Sequence, residues 1–375
     1  MNDRIQAITM PKWGMTMTEG KLAGWLETEG AKIAAGQEIM EVETEKITNV
    51  VESQAQGLLR KIVVNEGATA PVGALLAVLA DKDVPDSDVE AFIASYADRA
   101  GSAAADSAGG PAARSVTAGP HKFKVLTLGS GDGVPVVLIH GFGGDGGTWL
   151  FNQDALAQNR MVHVIDLPAH GDSEPTVASG RVDDIAVAVL DLFAALDIAK
   201  AHLVGHSLGG AVALAIAKAQ PDHVASLALI APAGLGPEIS IAYVEGFLAA
   251  DRRKPMKDVL ALLFADPKGM NADMVENVLR FKRLDGVPEA LAAIAGNLIA
   301  HEKQVIDLRS VLTGIDVPRL VIWGEGDAII PARQSDGLPA EIEVARLAGA
   351  GHMPMMEEAA MVNRLLAAHL AKVDG

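Results

Sequence analysis

A change of pattern partway along the chain restricts its fold more than any single motif. Up to about residue 82, short β-prone stretches alternate with turns at Gly20, Gly24, Gly30, Gly36, Gly57, Gly67 and Gly73, and no helical period is sustained. From His121 onward, short apolar runs alternate with helix-like segments, the pattern of a mostly parallel sheet flanked by helices. Between them, Val84 to Pro120 is biased toward Ala, Ser, Gly and Pro, running from Pro85-Asp86-Ser87-Asp88 to Gly109-Gly110-Pro111. One core cannot satisfy both patterns. The sequence therefore predicts two domains, 1–82 and 121–375, joined by a linker over 83–120, with a short helix from Asp88 to Ala100. A coil of about 35 residues would span roughly 30 to 35 Å. With 375 residues, half of them hydrophobic, the chain is long enough for two cores.

A formal net charge of -17 argues against nucleic-acid binding, which needs clustered Lys and Arg to neutralise phosphates. With no cysteine, disulfides, thiolate metal sites and cysteine nucleophiles are excluded, and no metal site is assigned. No basic leader precedes an apolar run at the N-terminus, and no stretch of about 18 apolar residues occurs, so a cytoplasmic protein without membrane spans is expected.

In the first domain, Trp25, Leu26, Ile33, Ile39, Val42, Leu58, Ile62, Val64, Val72, Leu75 and Leu76 are the expected core. Lys46 lies where two β-prone stretches meet, and by itself reads as a solvated lysine held charged by Glu41, Glu43 and Glu45. The surrounding frame is more specific. Met10-Pro11-Lys12-Trp13-Gly14, Met17-Thr18-Glu19-Gly20, Glu29-Gly30, Glu43-Thr44-Glu45-Lys46, Gly57 and Glu66-Gly67 together resemble a lipoyl domain. That resemblance implies a small all-β flattened barrel of two similar sheets, with lipoate in amide linkage on Lys46. Biotinyl domains are the nearest rival and typically flank the modified lysine with Met, where this chain has Glu45 and Ile47.

In the second domain, Val134 to Ile139, Met161 to Ile165, Ala201 to Val204, Ser226 to Ile230 and Pro318 to Trp323 read as buried strands. Val182 to Leu196 and Gly210 to Ala219 read as helices. Gly205-His206-Ser207-Leu208-Gly209-Gly210 falls between a strand and a helix, the context of a nucleophile elbow. A serine hydroxyl needs a base, and that base an orienting acid. His352 and Asp327 follow in the chain order Ser, Asp, His, with Glu325 as the neighbouring alternative acid. The loop His140-Gly141-Phe142-Gly143-Gly144 and the elbow would supply oxyanion donors from the backbone N–H groups of Phe142 and Leu208. His206, His140 and His170 are read as structural. Asp166-Leu167-Pro168-Ala169-His170-Gly171 also resembles the α/β-hydrolase family, with Ala169 in place of a more usual Gly. Helix-like segments from Ile241, Met256 and Val275 interrupt the sheet pattern over about 235–312 and suggest a helical cap. Its basic cluster, Arg252, Arg253 and Lys254 with Lys257, reads as a solvated face, with contact to coenzyme A phosphates as the alternative.

A lipoyl domain joined to an α/β-hydrolase domain resembles the dihydrolipoyllysine acetyltransferase components of acetoin dehydrogenase complexes. No His-x-x-x-Asp-Gly motif of the acyltransferases from other 2-oxo acid dehydrogenase complexes is found. The resemblance implies transfer of an acetyl group from lipoyl-Lys46 through Ser207 to coenzyme A. It also implies three kinds of partner: a thiamine-diphosphate-dependent acetoin dehydrogenase component, a dihydrolipoyl dehydrogenase, and a lipoate ligase or lipoyl transferase. A carrier-linked serine hydrolase releasing free acid, and a non-catalytic carrier and scaffold subunit, are the alternatives.

Overall fold

A computed structural model describes residues 5–11, 19–34, 36–43, 48–53, 55–94, 113–270 and 272–374. The chain divides into two compact units, Met1–Gly110 and Pro111–Gly375.

Among the described residues the first unit contains eight strands: β1 (Ile5–Thr9), β2 (Glu19–Trp25), β3 (Lys32–Ile33), β4 (Glu38–Glu43), β5 (Thr48–Glu52), β6 (Gly57–Ile62), β7 (Thr69–Pro71) and β8 (Leu75–Ala80). They form two four-stranded sheets, ordered β1-β8-β6-β3 and β5-β4-β2-β7, with every pairing antiparallel. Moving four strands along the chain converts one order into the other, so the unit is built twice. Side chains repeat the rule. Glu29 accepts from Ile62 N–H at 2.7 Å and Glu66 from Trp25 N–H at 3.0 Å, while Gly30 N–H donates to Leu59 O and Gly67 N–H to Leu22 O, both at 2.7 Å. Each residue of one set stands 37 positions from its counterpart.

Leu22, Ile33, Ile39, Met40, Leu59 and Leu76 fill the space between the sheets. Leu26, expected in this core, is instead 46% exposed, because β2 ends at Trp25. Trp25 is partly buried and donates from Nε1 to Val64 O at 3.0 Å. β8 is buried along its whole length. Its outer residues Leu75 and Val78 pack with Ile5, Val84 and Val89, the last on a helix whose described part covers 86–94. That helix belongs to the segment read as linker, as does a strand at its far end. The helix was expected there, from Asp88 to Ala100, but the strand was not, since Arg114–Ala118 carries no apolar run long enough to stand out.

In the second unit the strands are β9 (Arg114–Ala118), β10 (His121–Leu128), β11 (Val136–Ile139), β12 (Val162–Ile165), β13 (Ala201–His206), β14 (Val224–Ile230), β15 (Ile299–Ala300), β16 (Lys303–Gln304), β17 (Arg319–Gly324) and β18 (Glu343–Leu347). All but the small β15–β16 hairpin form one sheet, ordered β18-β17-β14-β13-β11-β12-β10-β9. It is parallel from β12 to β18, with β10 and β9 added antiparallel at one edge. Its central strands β11, β12, β13 and β14 are buried throughout, as expected where helices cover both faces. Four cap helices, Ile241–Ala249, Arg253–Leu260, Ala272–Lys282 and Val287–Leu298, follow β14, and residues of each line the pockets at Ser207, just past the carboxyl end of β13. Among the described residues no helix is long and apolar enough to cross a membrane.

Candidate active site

Ser207 follows β13 directly and precedes the helix Leu208–Ala219, with φ 52° and ψ -113°. Holding a side-chain-bearing residue there costs on the order of 1–3 kcal/mol, so the surroundings must enforce it. Ser207 N–H donates to Ile230 O at 3.0 Å, and its carbonyl accepts from Gly210, Ala211 and Ala233 N–H at 3.0, 3.2 and 3.0 Å. The turn also needs bare backbone on either side. A Cβ at Gly205 would fall 2.8 Å from Gly210 Cα, and one at Gly209 would fall 2.5 Å from His140 O.

His352 and Asp327 are both buried, and His352 Nδ1 lies 2.7 Å from Asp327 Oδ2. Asp327 is held on both oxygens. Oδ1 accepts from Ile329 and Ile330 N–H at 2.8 and 2.9 Å, and Oδ2 accepts from Trp323 Nε1 at 3.0 Å. Both oxygens act as acceptors, and an acceptor facing Nδ1 places the proton of a neutral imidazole there. Nε2 is then free to accept. Glu325 is exposed, so of the two acids the geometry gives His352 to Asp327. Ser207 and His352 line one small pocket together with Gly141, Phe142 and Tyr243.

Three more histidines shape this site. His206 Nε2 donates to the carbonyl of His352 at 2.8 Å, tying the residue before the serine to the backbone of the distant histidine. Burial, reinforced by neighbouring His352, holds its pKa well below the usual imidazole value, so it stays neutral beside Ser207. His140 Nε2 accepts from Leu167 N–H at 2.9 Å, which leaves Nδ1–H to donate to Gly141 O at 2.8 Å and steady the glycine loop. His170 bonds Pro168 O through Nδ1 at 2.9 Å, and burial takes its pKa down to about 3. Ala169, beside it, has φ 64°, a conformation that suits the more usual glycine.

Leu208 is the first residue of its helix, so its N–H has no partner within that helix and is available near Ser207. Phe142 lies across the pocket. Its carbonyl accepts from Tyr243 Oη–H at 3.2 Å, and its ring meets that of cap residue Phe247 edge-on at 5.3 Å. Tyr243 carried no signal in the sequence, because a lone tyrosine in a mostly apolar helix reads as ordinary packing. Arg252 pairs with Asp251 at 3.7 Å and Arg253 with Glu276 at 3.2 Å, both on exposed side chains, and Lys254 is exposed. None of the three lines either pocket at Ser207. Lys46 lies outside the described residues, as do 12–18. The flanking strands β4 and β5 are described, and their last pair is Glu43 with Thr48.

Fold and site together define an α/β-hydrolase-fold unit attached to a lipoyl-type unit. Residues 134–359 match the family described as alpha/beta hydrolase fold, and residues 6–79 match the family described as biotin-requiring enzyme. A dihydrolipoyllysine-residue acetyltransferase component of the acetoin cleaving system of Pseudomonas putida is 46% identical over 370 residues, covering 98% of this chain and 99% of the relative. Its counterpart in Cupriavidus necator is 41% identical over 367 residues, covering 98% and 97%. The chain belongs to this family of acetoin-cleaving-system acetyltransferase components. Among solved structures, a 2-hydroxy-6-oxo-6-phenylhexa-2,4-dienoate hydrolase from Rhodococcus sp. strain RHA1 is similar in fold, with TM-score 0.63 and 24% identity over 69% of this chain and 98% of that one. An esterase from Thermogutta terrifontis matches with TM-score 0.58 and 25% identity over 70% and 100%.

Proposed function

We propose that the chain carries an acetyl group on its first unit and transfers it to coenzyme A on its second. The reading rests on one observation above all. Ser207, held at positive φ, shares a pocket with a histidine bonded to a buried aspartate, in a chain similar end to end to named acetyltransferase components. Lys46, which falls in the sequence after β4 and before β5, is the residue proposed to hold lipoate in amide linkage. When bound, lipoate supplies a dithiol that carries an acyl group as a thioester.

His352 Nε2 takes the proton from Ser207 Oγ as Oγ attacks the thioester carbon. Phe142 and Leu208 donate their backbone N–H groups to the oxyanion, each such donor contributing about 2.7 to 4 kcal/mol to the transition state. The C–S bond breaks, and His352 returns its proton to the departing sulfur, leaving acetyl on Ser207. The coenzyme A thiol then gives its proton to His352 and attacks the same carbon. As the C–O bond breaks, Ser207 Oγ recovers the proton. Asp327 orients the ring and stabilises its charged form in both halves.

A thiamine-diphosphate-dependent component would load the acetyl group, and a dihydrolipoyl dehydrogenase would reoxidise the dithiol. The test supplies purified lipoylated protein with acetyl-dihydrolipoamide, with and without coenzyme A. Acetyl-CoA as the main product supports the reading. Free acetate at the same rate in both cases makes the protein a hydrolase, and absence of turnover makes it a carrier and scaffold.

A further inference from the structure

Two pockets of about 20 Å³ each meet at Ser207 and share Phe142 and Tyr243. They differ in chemistry. One contains His352, which must reach the sulfur that leaves and the sulfur that arrives, so both thiols belong on that side. Its outer wall includes Leu260, Leu263 and Met274 from the cap.

The other pocket contains no titratable group except Tyr243, whose hydroxyl is used on Phe142 O. Val244, Ile239, Ala295, Leu298 and Ile329 supply hydrocarbon. Gln304 is the one amide there, and its polar atoms are turned to the backbone. Oε1 accepts from Gly234 N–H at 2.8 Å, while Nε2 donates to Gly236 O and Glu238 O, both at 2.9 Å. A water needs two to four polar partners and about 10–15 Å³. Beyond Ser207 and the backbone N–H groups of Phe142 and Leu208, where the acyl carbon and its oxygen belong, the pocket has space for one such group but no free polar side chain to hold a water, so it suits a methyl.

Its walls are also pinned. Leu298 ends the helix Val287–Leu298, and its carbonyl accepts from Val305 N–H at 2.9 Å. Ala233 N–H is bonded to the carbonyl of Ser207 itself.

We propose that this apolar pocket receives the alkyl end of the acyl group and that Leu298 and Val244 set its length limit at acetyl. The assignment rests on the acyl-serine reading above and adds to it the residues that choose the acyl chain. One methylene too many in a hydrophobic pocket is discriminated by about 10- to 200-fold.

The test measures Ser207 acylation from p-nitrophenyl acetate, propionate and butyrate, and from the matching S-acyl-dihydrolipoamides, in the full-length wild type, Leu298→Ala and Val244→Ala. The readout is the butyryl-to-acetyl ratio of kcat/KM, which does not depend on the fraction of folded protein. Wild type should fall by about 10-fold or more per added methylene. At least one variant should raise the ratio by about 10-fold or more. A flat wild-type series, or variants that acylate with the wild-type ratio, overturns the gate. Absence of Ser207 acylation from every donor removes both the acyl-serine reading and the gate. Selective acylation without acetyl-CoA formation leaves the gate standing and overturns coenzyme A as acceptor.

Discussion

Glycines separate the two units by the job they do. In the lipoyl-type unit, Gly30, Gly36, Gly67 and Gly73 all have positive φ between 80° and 93°, and a Cβ at any of them would meet nothing within 4 Å. They turn the chain. In the hydrolase-fold unit, Gly205, Gly209, Gly324 and Gly351 have no such φ, yet a Cβ at each would press into neighbouring backbone. They let one loop lie directly on another. On the function proposed above, the first unit needs only to fold and present an attachment residue, whereas the second must gather Ser207 and His352 from distant parts of the chain at one pocket, with Asp327 bonded to His352. Tolerance in one and close contact in the other follow from those tasks.

The largest effect on this contrast is expected at the acid that orients His352. Asp327→Asn keeps the shape of the site but offers an N–H where Nδ1–H needs an acceptor, and kcat for acetyl transfer should fall by about 10⁴-fold. Lipoylation of Lys46, read by intact mass, should be unchanged. A fall of less than tenfold would remove Asp327 from the mechanism.

Substituting one glycine of each kind sharpens the comparison. Gly209→Ala should destabilise the hydrolase-fold unit by about 3 kcal/mol or more, because the obstruction is the backbone of the Ile139–His140 segment rather than a movable side chain. Gly30→Ala should cost only about 1–2 kcal/mol, the penalty of a left-handed conformation without a clash. Denaturant midpoints of the full-length variants would check both. Equal losses would erase the distinction.

Acid offers a third way to separate the units. All ten histidines lie from His121 onward. His170 has its pKa lowered to about 3 by burial, so below about pH 6.5 the unfolded chain binds a proton that the folded chain refuses. Stability from this group is complete above pH 6.5 and declines as pH falls toward 3. By pH 5 the loss is about 2 kcal/mol, and His206, also lowered by burial, adds in the same direction. In thermal unfolding between pH 7 and 5, the hydrolase-fold transition should drop, and His170→Asn should reduce the drop. A pH-independent transition would contradict the buried, neutral assignment.

The same contrast explains what the sequence displayed. The elbow, the strands β11 to β14 and the order of Ser207, Asp327 and His352 were legible because buried parallel strands leave apolar runs and the elbow tolerates few residues. The edge strands β9 and β18 were not, since Arg114–Ala118 and Glu343–Leu347 are mostly solvent-facing and carry little apolar signal. The helix over 86–94 was seen only in part, because its contribution is a few residues that matter only against the outer face of β8. Two similar sheets were expected in the first unit from its resemblance, but not which residues repeat between them. Glu29-Gly30 and Glu66-Gly67 were recognised as separate motif pieces, but their equivalence emerges only when each carboxylate is found holding a backbone N–H of the other half. Nothing local could reveal that His206 would hold the carbonyl of His352, since the two are 146 positions apart.

The most direct test follows the acetyl group itself. Lipoylated protein is mixed with isotopically labelled acetyl-dihydrolipoamide, quenched within single turnovers, and its peptides are weighed before and after coenzyme A is added. The account predicts label on the Ser207 peptide first, then its transfer to acetyl-CoA, with both signals lost in Ser207→Ala and both retained in Lys46→Arg. Acetyl-CoA formed at the wild-type rate by Ser207→Ala would contradict it.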